Sequence, residues 1–330
     1  MTSGEIVGNF YKEFFTDNPI KLIDIGSSGG LNPNWQEFEK YIEIVGFEPD
    51  TQAFQQLMNE NHKKKKYYNI GVHSEKTEIN FYLCKDRQKS SLFQPNKDFL
   101  IQFPKWKRFE VEGAEKIKVD ALDNILKNNY SDPDFMKIDT EGNELSILEG
   151  GINTLTSSVF GLEVEVGFAE MRKNQPFFSD IDNFLRKNDF QLFDIRRTYW
   201  KRAIGEKFGN DKGQLALGDA LYFKKIEPFY KNLTKIQYKT IIKSKVVKAI
   251  SICIIYGYHD YALQMAEYTS ALFNPSEVEF LKVQIQSTIR NGRKIPDFRG
   301  RGRIAQICYT LGKFIEHPSW AAGDQDLGNR

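Results

Sequence analysis

The stretch "KLIDIGSSGGLNPNW", Lys21 to Trp35, decides the fold class. A short apolar run ending in Asp24 is followed by Gly26, two serines and the pair Gly29-Gly30. This reads as a buried strand entering a small-residue loop that lets a ligand approach the backbone. Pro33 and its neighbours delay the helix that would follow. The loop lacks GxxxxGK[ST], so it is not a P-loop. Aligned on Gly26, a dinucleotide fingerprint would need glycines where Ser28 and Leu31 stand, so the loop cradles pyrophosphate poorly. It suits a ligand without phosphates.

Working outward, "EIVGFEP" is a second strand stopped by Pro49, and Glu48 at its end lies 22 positions past Gly26. A carboxylate there can accept hydrogen bonds from two ribose hydroxyls. NAD requires the same acid, but loop and acid together favour S-adenosylmethionine (SAM). A solvated strand-end charge is the plainer reading of Glu48.

Up to about Lys225 strand-like and helix-like segments alternate, as an α/β domain requires. "DTQAFQQLMNEN" is helical with Asp50 or Thr51 as N-cap. "YYNIGV" and "TEINFYL" read as a strand and its hairpin partner. "KVDALDNILKNN" reads as a helix, "DFMKID" as a buried strand, and "ELSILEGG" as a helix closed by Gly150. "VFGLEVEV" is the next strand, and "SDIDNFLRKNDF" a helix capped by Ser179 with Asp182 at N3. "QLFDI" and "ALYFKK" are the last two strands.

From Ile226 the pattern is helical, with segments over residues 236–256, 260–273, 275–290 and 303–314. Asn274, Pro275 and Glu277 form a helix start. "YGYHDYALQMAE" resembles a helix junction of a tetratricopeptide-type pair, although no 34-residue repeat occurs. The expected division is 1–225 and 226–330.

In "DFMKIDTEGNELSILEGG", Phe135, Lys137 and Asp139 point one way from the strand. A buried Lys is costly unless paired, and Asp139, Glu163 or Glu165 of the neighbouring strand can serve. Such a cluster at strand ends is where open α/β sheets place their chemistry. A structural ion cluster that only fixes the loop is the alternative.

The blocks "DIGSSGG", "GFEPD", "SSLFQPN", "KIDTEGNELSILEGG", "LEVEVGFAEM" and "QPFFSDIDNFLRKNDFQLFDI" together resemble the FkbM family of SAM-dependent methyltransferases, over about residues 20–200. The resemblance implies a class I methyltransferase (Rossmann-like) sheet of seven strands with a terminal reversed hairpin. It also implies O-methylation of a hydroxyl, often on a sugar or glycan. The cofactor-binding set it implies is Asp24, Gly26, Ser27, Gly29, Gly30, Glu48, Pro49 and Gly71. Lys137, Asp139 and Glu141 belong to the family's active-site block. Asp139 is the expected base, with Lys137 or Glu165 tuning it. Ser91, Trp106 and Phe168 are the candidate acceptor contacts, with a turn or core packing as the bland reading of each.

Other classes are weaker. His62, His73, His259 and His317 have no metal-ligand spacing, so no metal is expected, with a divalent metal held by Asp139 and another carboxylate as the alternative. A NAD(P)-linked sugar-modifying enzyme would need a Tyr-x-x-x-Lys pair, which is missing from the first 225 residues. A non-catalytic methyltransferase-fold scaffold stays open. Cys84, Cys253 and Cys308 form no disulfide framework, and a reducing, cytoplasmic setting is expected. The apolar window from Val246 is too short to span a bilayer and contains Lys248.

Net charge is only +2, so no nucleic-acid partner is expected. The charge is uneven, with 15 Lys+Arg against 9 Asp+Glu from Ile226 onward. Arg290, Arg293, Lys294, Arg299, Arg301 and Arg303 concentrate in one segment. It reads as a site for a sugar phosphate, as a peripheral contact with an anionic membrane, or as a solvated linker. The closing "GDQDLGNR" is expected to be disordered.

Overall fold

The computed structural model describes residues 15, 18–29, 33–36, 38–59, 64–127, 130, 132–206, 213–289, 298–315, 320–324 and 327. Eleven strands are described: β1 (Ile20–Ile25), β2 (Ile42–Phe47), β3 (Lys65–Tyr68), β4 (Gly71–His73), β5 (Thr77–Cys84), β6 (Val111–Ala121), β7 (Phe135–Ile138), β8 (Gly161–Gly167), β9 (Phe190–Trp200), β10 (Gln214–Lys224) and β11 (Ala321–Gly323). Eight form the main sheet in the order β11-β9-β10-β8-β7-β1-β2-β3. β1, β2, β3, β7 and β8 run parallel, and β10 is antiparallel to β8 and β9. This is the expected class I methyltransferase sheet with its reversed hairpin. It carries one strand more than the seven expected, because Ala321–Gly323 adds to the edge at β9.

The side-chain alternation of the central strands feeds two cores. Ile23, Val45, Met136, Ile138, Leu162 and Val164 join one. Leu22, Ile44, Phe135, Leu221 and Phe223 join the other. The first is covered by helices α3 (Glu144–Gly150), α4 (Ile152–Ser157) and α5 (Phe178–Lys187). α1 (Thr51–Asn59), capped by Asp50 Oδ1 accepting from the N–H groups of Gln52 and Ala53 at 2.9 and 3.0 Å, follows β2. α2 (Leu122–Leu126) follows β6.

Helices α6 (Ile226–Leu233), α7 (Lys239–Ile255), α8 (His259–Tyr268), α9 (Pro275–Thr288) and α10 (Arg301–Ile315) make up the C-terminal part. From Val246 to Ile255 every residue of α7 is buried, Lys248 and Ser251 being its polar members there. Its Val246, Ile250 and Cys253 share one cluster with Phe135 and Phe223 of the sheet. The element type therefore changes at Ile226 while the core runs on across it.

Several local expectations shift. β4 and β5 do not form a hairpin; both flank β6 in a separate sheet ordered β4-β6-β5. Lys118–Ala121 ends β6, so the helix read there is confined to Leu122–Leu126. In α5 the cap is Phe177, whose N–H is taken by Asp180 rather than by a Ser179–Asp182 pair. α3 closes on Gly151 instead of Gly150. Asn274 and Glu277 do form the expected capping box. Within the closing segment, Asp324 pairs with Arg197 and Leu327 is buried.

One polar link ties α7 to the foot of β7. Asp134 Oδ1 accepts from Lys245 Nζ at 2.7 Å, Oδ2 lies 3.2 Å from Lys248 Nζ, and Oδ2 also accepts the Lys21 N–H at 2.8 Å. All three charged side chains are buried. Removing one partner of such a group leaves uncompensated charge, so Asp134→Asn should cost about 3–5 kcal/mol. Urea unfolding checks this; an unchanged midpoint would show that the link does not hold the helices to the sheet.

Candidate functional site

A cleft opens at the carboxyl tips of β1 and β2. Its lining includes Gly26, Ser28, Glu48, Pro49, Gly71, Asp139, Glu141 and Asn143, with Phe81 and Ile117 contributed by the second sheet. Gly26 has φ +84, and a Cβ there would stand 1.9 Å from the Asp139 carbonyl oxygen. Only glycine lets the end of β1 pass so close to the end of β7.

Glu48 is 5% exposed and oriented by backbone donors on both sides. The Ser28 N–H gives to Oε2 at 3.2 Å and the Asp50 N–H gives to Oε1 at 2.9 Å. Each oxygen keeps a further lone pair. Burial is the main reason its pKa rises to about 7, against the lowering effect of the Asp50 and Ser28 bonds.

Beside this acid runs a row of charge across the sheet. Asp24, Lys137 and Glu163 align on β1, β7 and β8. Lys137 Nζ lies 3.5 Å from both Asp24 and Asp139. Burial opposes its charge, but Asp24, Asp139 and Glu163 outweigh burial and raise its pKa. Burial raises Asp24, with Lys137 opposing. Glu163 is pushed up to about 7 by burial and by Asp219, and its Oε2 accepts from the Tyr256 hydroxyl at 2.9 Å.

Two residues further along the strands stand Asp139 and Glu165. Asp139 is the open member, with 39% of its side chain exposed. Burial first, then the neighbouring Glu141 and Asp139, lifts Glu165 well above the carboxylate range. Asp219 faces Glu165 across the β8–β10 ladder and is paired with Arg196.

Glu141 sits in left-handed backbone (φ +61), uncommon for a residue with a side chain. Its carboxylate is gripped by Lys89 and by the buried Arg172. Burial opposes its ionisation, but Arg172 and Lys89 hold its pKa below the usual range. Ser91 Oγ donates to the Glu141 carbonyl at 2.7 Å. Carboxylate oxygens of Asp139, Glu141 and Glu165 lie within 4.8 Å of one another, a set able to hold a divalent cation. Two protein cations already neutralise Glu141.

Of the eight residues expected around a cofactor, Gly26, Glu48, Pro49 and Gly71 line the cleft. Asp24 and Ser27 are buried outside that lining, and Ser27 Oγ donates to the Asp24 carbonyl at 2.8 Å. Gly29 ends the short Ser27–Gly29 turn. Gly30 lies outside the described residues, as do Arg290, Arg293 and Lys294. Among the acceptor candidates, Ser91 is fully buried, Trp106 packs beside the Phe103–Trp200 cluster, and the Phe168 ring rests 5.2 Å from that of Phe178. Sequence reasoning missed Lys89, Arg172, Asn143, Asp219 and Tyr256. Lys89 and Arg172 adjoin the "SSLFQPN" and "GFAEM" blocks, the one signal that could have pointed to them. Asn143 donates to the Val72 carbonyl at 2.8 Å, while its buried Oδ1 has no hydrogen-bond partner among the described residues.

A profile of the methyltransferase FkbM domain matches residues 25–192, just over half of the sequence. The chain belongs to the FkbM methyltransferase family. It is similar to a crystal structure of methyltransferase FkbM from Methylobacillus flagellatus KT, at 18% identity and a TM-score of 0.37. That match covers 62% of this chain and 43% of the other, so the chain spans less than half the length of that relative. A precorrin-6y C5,15-methyltransferase from Geobacter metallireducens GS-15 matches at 8% identity and a TM-score of 0.32, covering 67% and 88%. The 23S rRNA methyltransferase ErmE matches at 9% and 0.30, covering 86% and 96%. No curated protein sequence matches. Among the described residues no helix is long and apolar enough to cross a membrane.

The FkbM domain's buried acids set a pH signature. Glu48 and Glu163 both have pKa values near 7, above the ordinary 4.5. The folded state thus binds more protons than the unfolded state between these values, and stability falls as pH rises from about 4.5 to 7. Glu48→Gln should flatten part of that fall, by at most about 3 kcal/mol. Thermal unfolding from pH 5 to pH 8 measures it; identical profiles for both proteins would contradict the assignment.

Proposed function

We propose that this chain is a SAM-dependent O-methyltransferase whose acceptor is a hydroxyl of a sugar or glycan. The observation that carries the reading is Glu48, fixed at the cleft floor by two backbone N–H groups with lone pairs left for two vicinal hydroxyls. The cleft fits an adenosyl group in two further respects. Asn143, whose buried Oδ1 has no hydrogen-bond partner among the described residues, borders the cleft, and the loop from Gly26 to Gly29 carries no side chain larger than serine.

Gly26, Glu48, Pro49 and Gly71 would hold the cofactor, which supplies an electrophilic methyl group on a sulfonium. The protein's own part is to position the acceptor and remove its proton. Alignment of bound reactants is worth about 7–11 kcal/mol. Asp139, the open carboxylate at the rim, accepts the hydroxyl proton, a contribution of about 10²–10⁴-fold. Lys137 anchors Asp139 from below, and Glu165 stands beside it on the neighbouring strand. The open carboxylate of Asp139 in the cleft lining suits a neutral polyhydroxyl compound better than a phosphodiester, whose charge it would repel.

Calorimetry with SAM, S-adenosylhomocysteine and NAD tests the cofactor. Micromolar-scale binding of the first two is expected, strengthening from pH 6 to pH 8 as Glu48 ionises. Glu48→Gln should weaken it by roughly ten- to hundredfold. Tight NAD binding without SAM binding would overturn the proposal. For the base, Asp139→Asn should bind SAM nearly as the wild type does and lose turnover by about 10²-fold or more. Full turnover on a sugar acceptor would remove Asp139 from that role.

A further inference from the structure

α10 stands apart from the packing that holds α6 to α9. Every residue from Arg301 to Gly312 is exposed, and a Cβ placed on Gly302 or Gly312 would meet nothing within 4 Å. Helical pitch still sorts its side chains. Ile304, Ile307, Cys308 and Leu311 follow the spacing i, i+3, i+4, i+7 and form one apolar stripe. Ile304, Ile307 and Leu311 are 52%, 57% and 56% exposed. At about 100° per residue, Arg301 and Arg303 fall just outside opposite edges of that stripe. Arg299 and the exposed Phe298 precede them. The sequence from Phe298 to Ile315 contains no Asp or Glu.

We propose that α10 docks this protein on an anionic lipid bilayer, lying in the plane of the interface. An apolar stripe edged by arginines, on a helix without acids, matches that environment on both faces. The stripe enters the acyl boundary, and the guanidinium groups meet headgroup phosphates. At 1.5 Å per residue its 15 residues extend about 22 Å, which suits lying along a bilayer rather than crossing it. Charge complementarity favours this occupant over a second copy, which would bring like-charged arginines together. Three aliphatic side chains are also few against the about 20–30 residues a side of a stable protein interface. Nucleic acid would answer the arginines and leave the stripe in water.

Co-sedimentation of the full chain with lipid vesicles tests the proposal. Wild type is expected to pellet with vesicles of phosphatidylcholine and phosphatidylglycerol, less so in high salt, and to stay in solution with phosphatidylcholine alone. Arg301→Glu with Arg303→Glu should lower partitioning by about tenfold or more, and Ile307→Asp with Leu311→Asp should abolish it. Because α10 lies free of the core, all variants should melt at the wild-type temperature, which separates lost docking from lost folding. Wild type that stays in solution, binds both vesicles equally, or is indifferent to the substitutions overturns the proposal. So does a dimer, seen by light scattering, that Ile307→Asp with Leu311→Asp splits while vesicle binding is absent; the stripe would then belong to a second copy.

Discussion

An ammonium group on the second-to-last residue of a central strand imposes its surroundings. Lys137 lies on β7 between β1 and β8, with only 14% of its side chain exposed. A cation so placed is tolerated only among carboxylates. Asp24 and Asp139 supply them at 3.5 Å, and Glu163 completes the row. Burial first, with Asp219 beside Glu163 and with Glu141 and Asp139 beside Glu165, raises both of these acids, while Asp139 keeps its opening to the cleft. Structural need and chemical opportunity coincide at the tips of these strands.

The walls of the cleft come from distant parts of the chain. Lys89 follows β5, Arg172 follows β8, and both converge on Glu141 in the turn after β7. Their charges offset the burial of that carboxylate and help retain its left-handed backbone. Ser91 clips the same turn through the Glu141 carbonyl. From the C-terminal part, the Tyr256 hydroxyl accepts from Trp35 Nε1 at 3.0 Å and donates to Glu163. The helices after Ile226 thereby touch the charged row directly, and lie within the same apolar core as the sheet.

What could be read in the sequence follows from which forces are local. β1, β2, β7 and β8 are buried parallel strands, and continuous apolar runs betray them. Glu48 was legible because a strand end, a glycine loop and a fixed spacing occur close together. β6 was not, because "VEGAEKIKV" exposes most of its length and reads as polar chain. β11 is three residues of small side chain whose only reason to be a strand is the free edge of β9. The Lys89, Arg172 and Tyr256 contacts join residues 52, 31 and 93 positions from their partners. No local pattern encodes such pairs.

In the proposed function, Glu48 receives two vicinal hydroxyls of an adenosyl ligand, with Asp139 at the open rim beyond it. A crystal structure of the chain with S-adenosylhomocysteine bound tests this most directly. The ribose hydroxyls are expected on the two Glu48 oxygens and the ligand's sulfur on the side of the cleft facing Asp139. A ligand bound elsewhere, or a Glu48 carboxylate turned from the ribose, would contradict it.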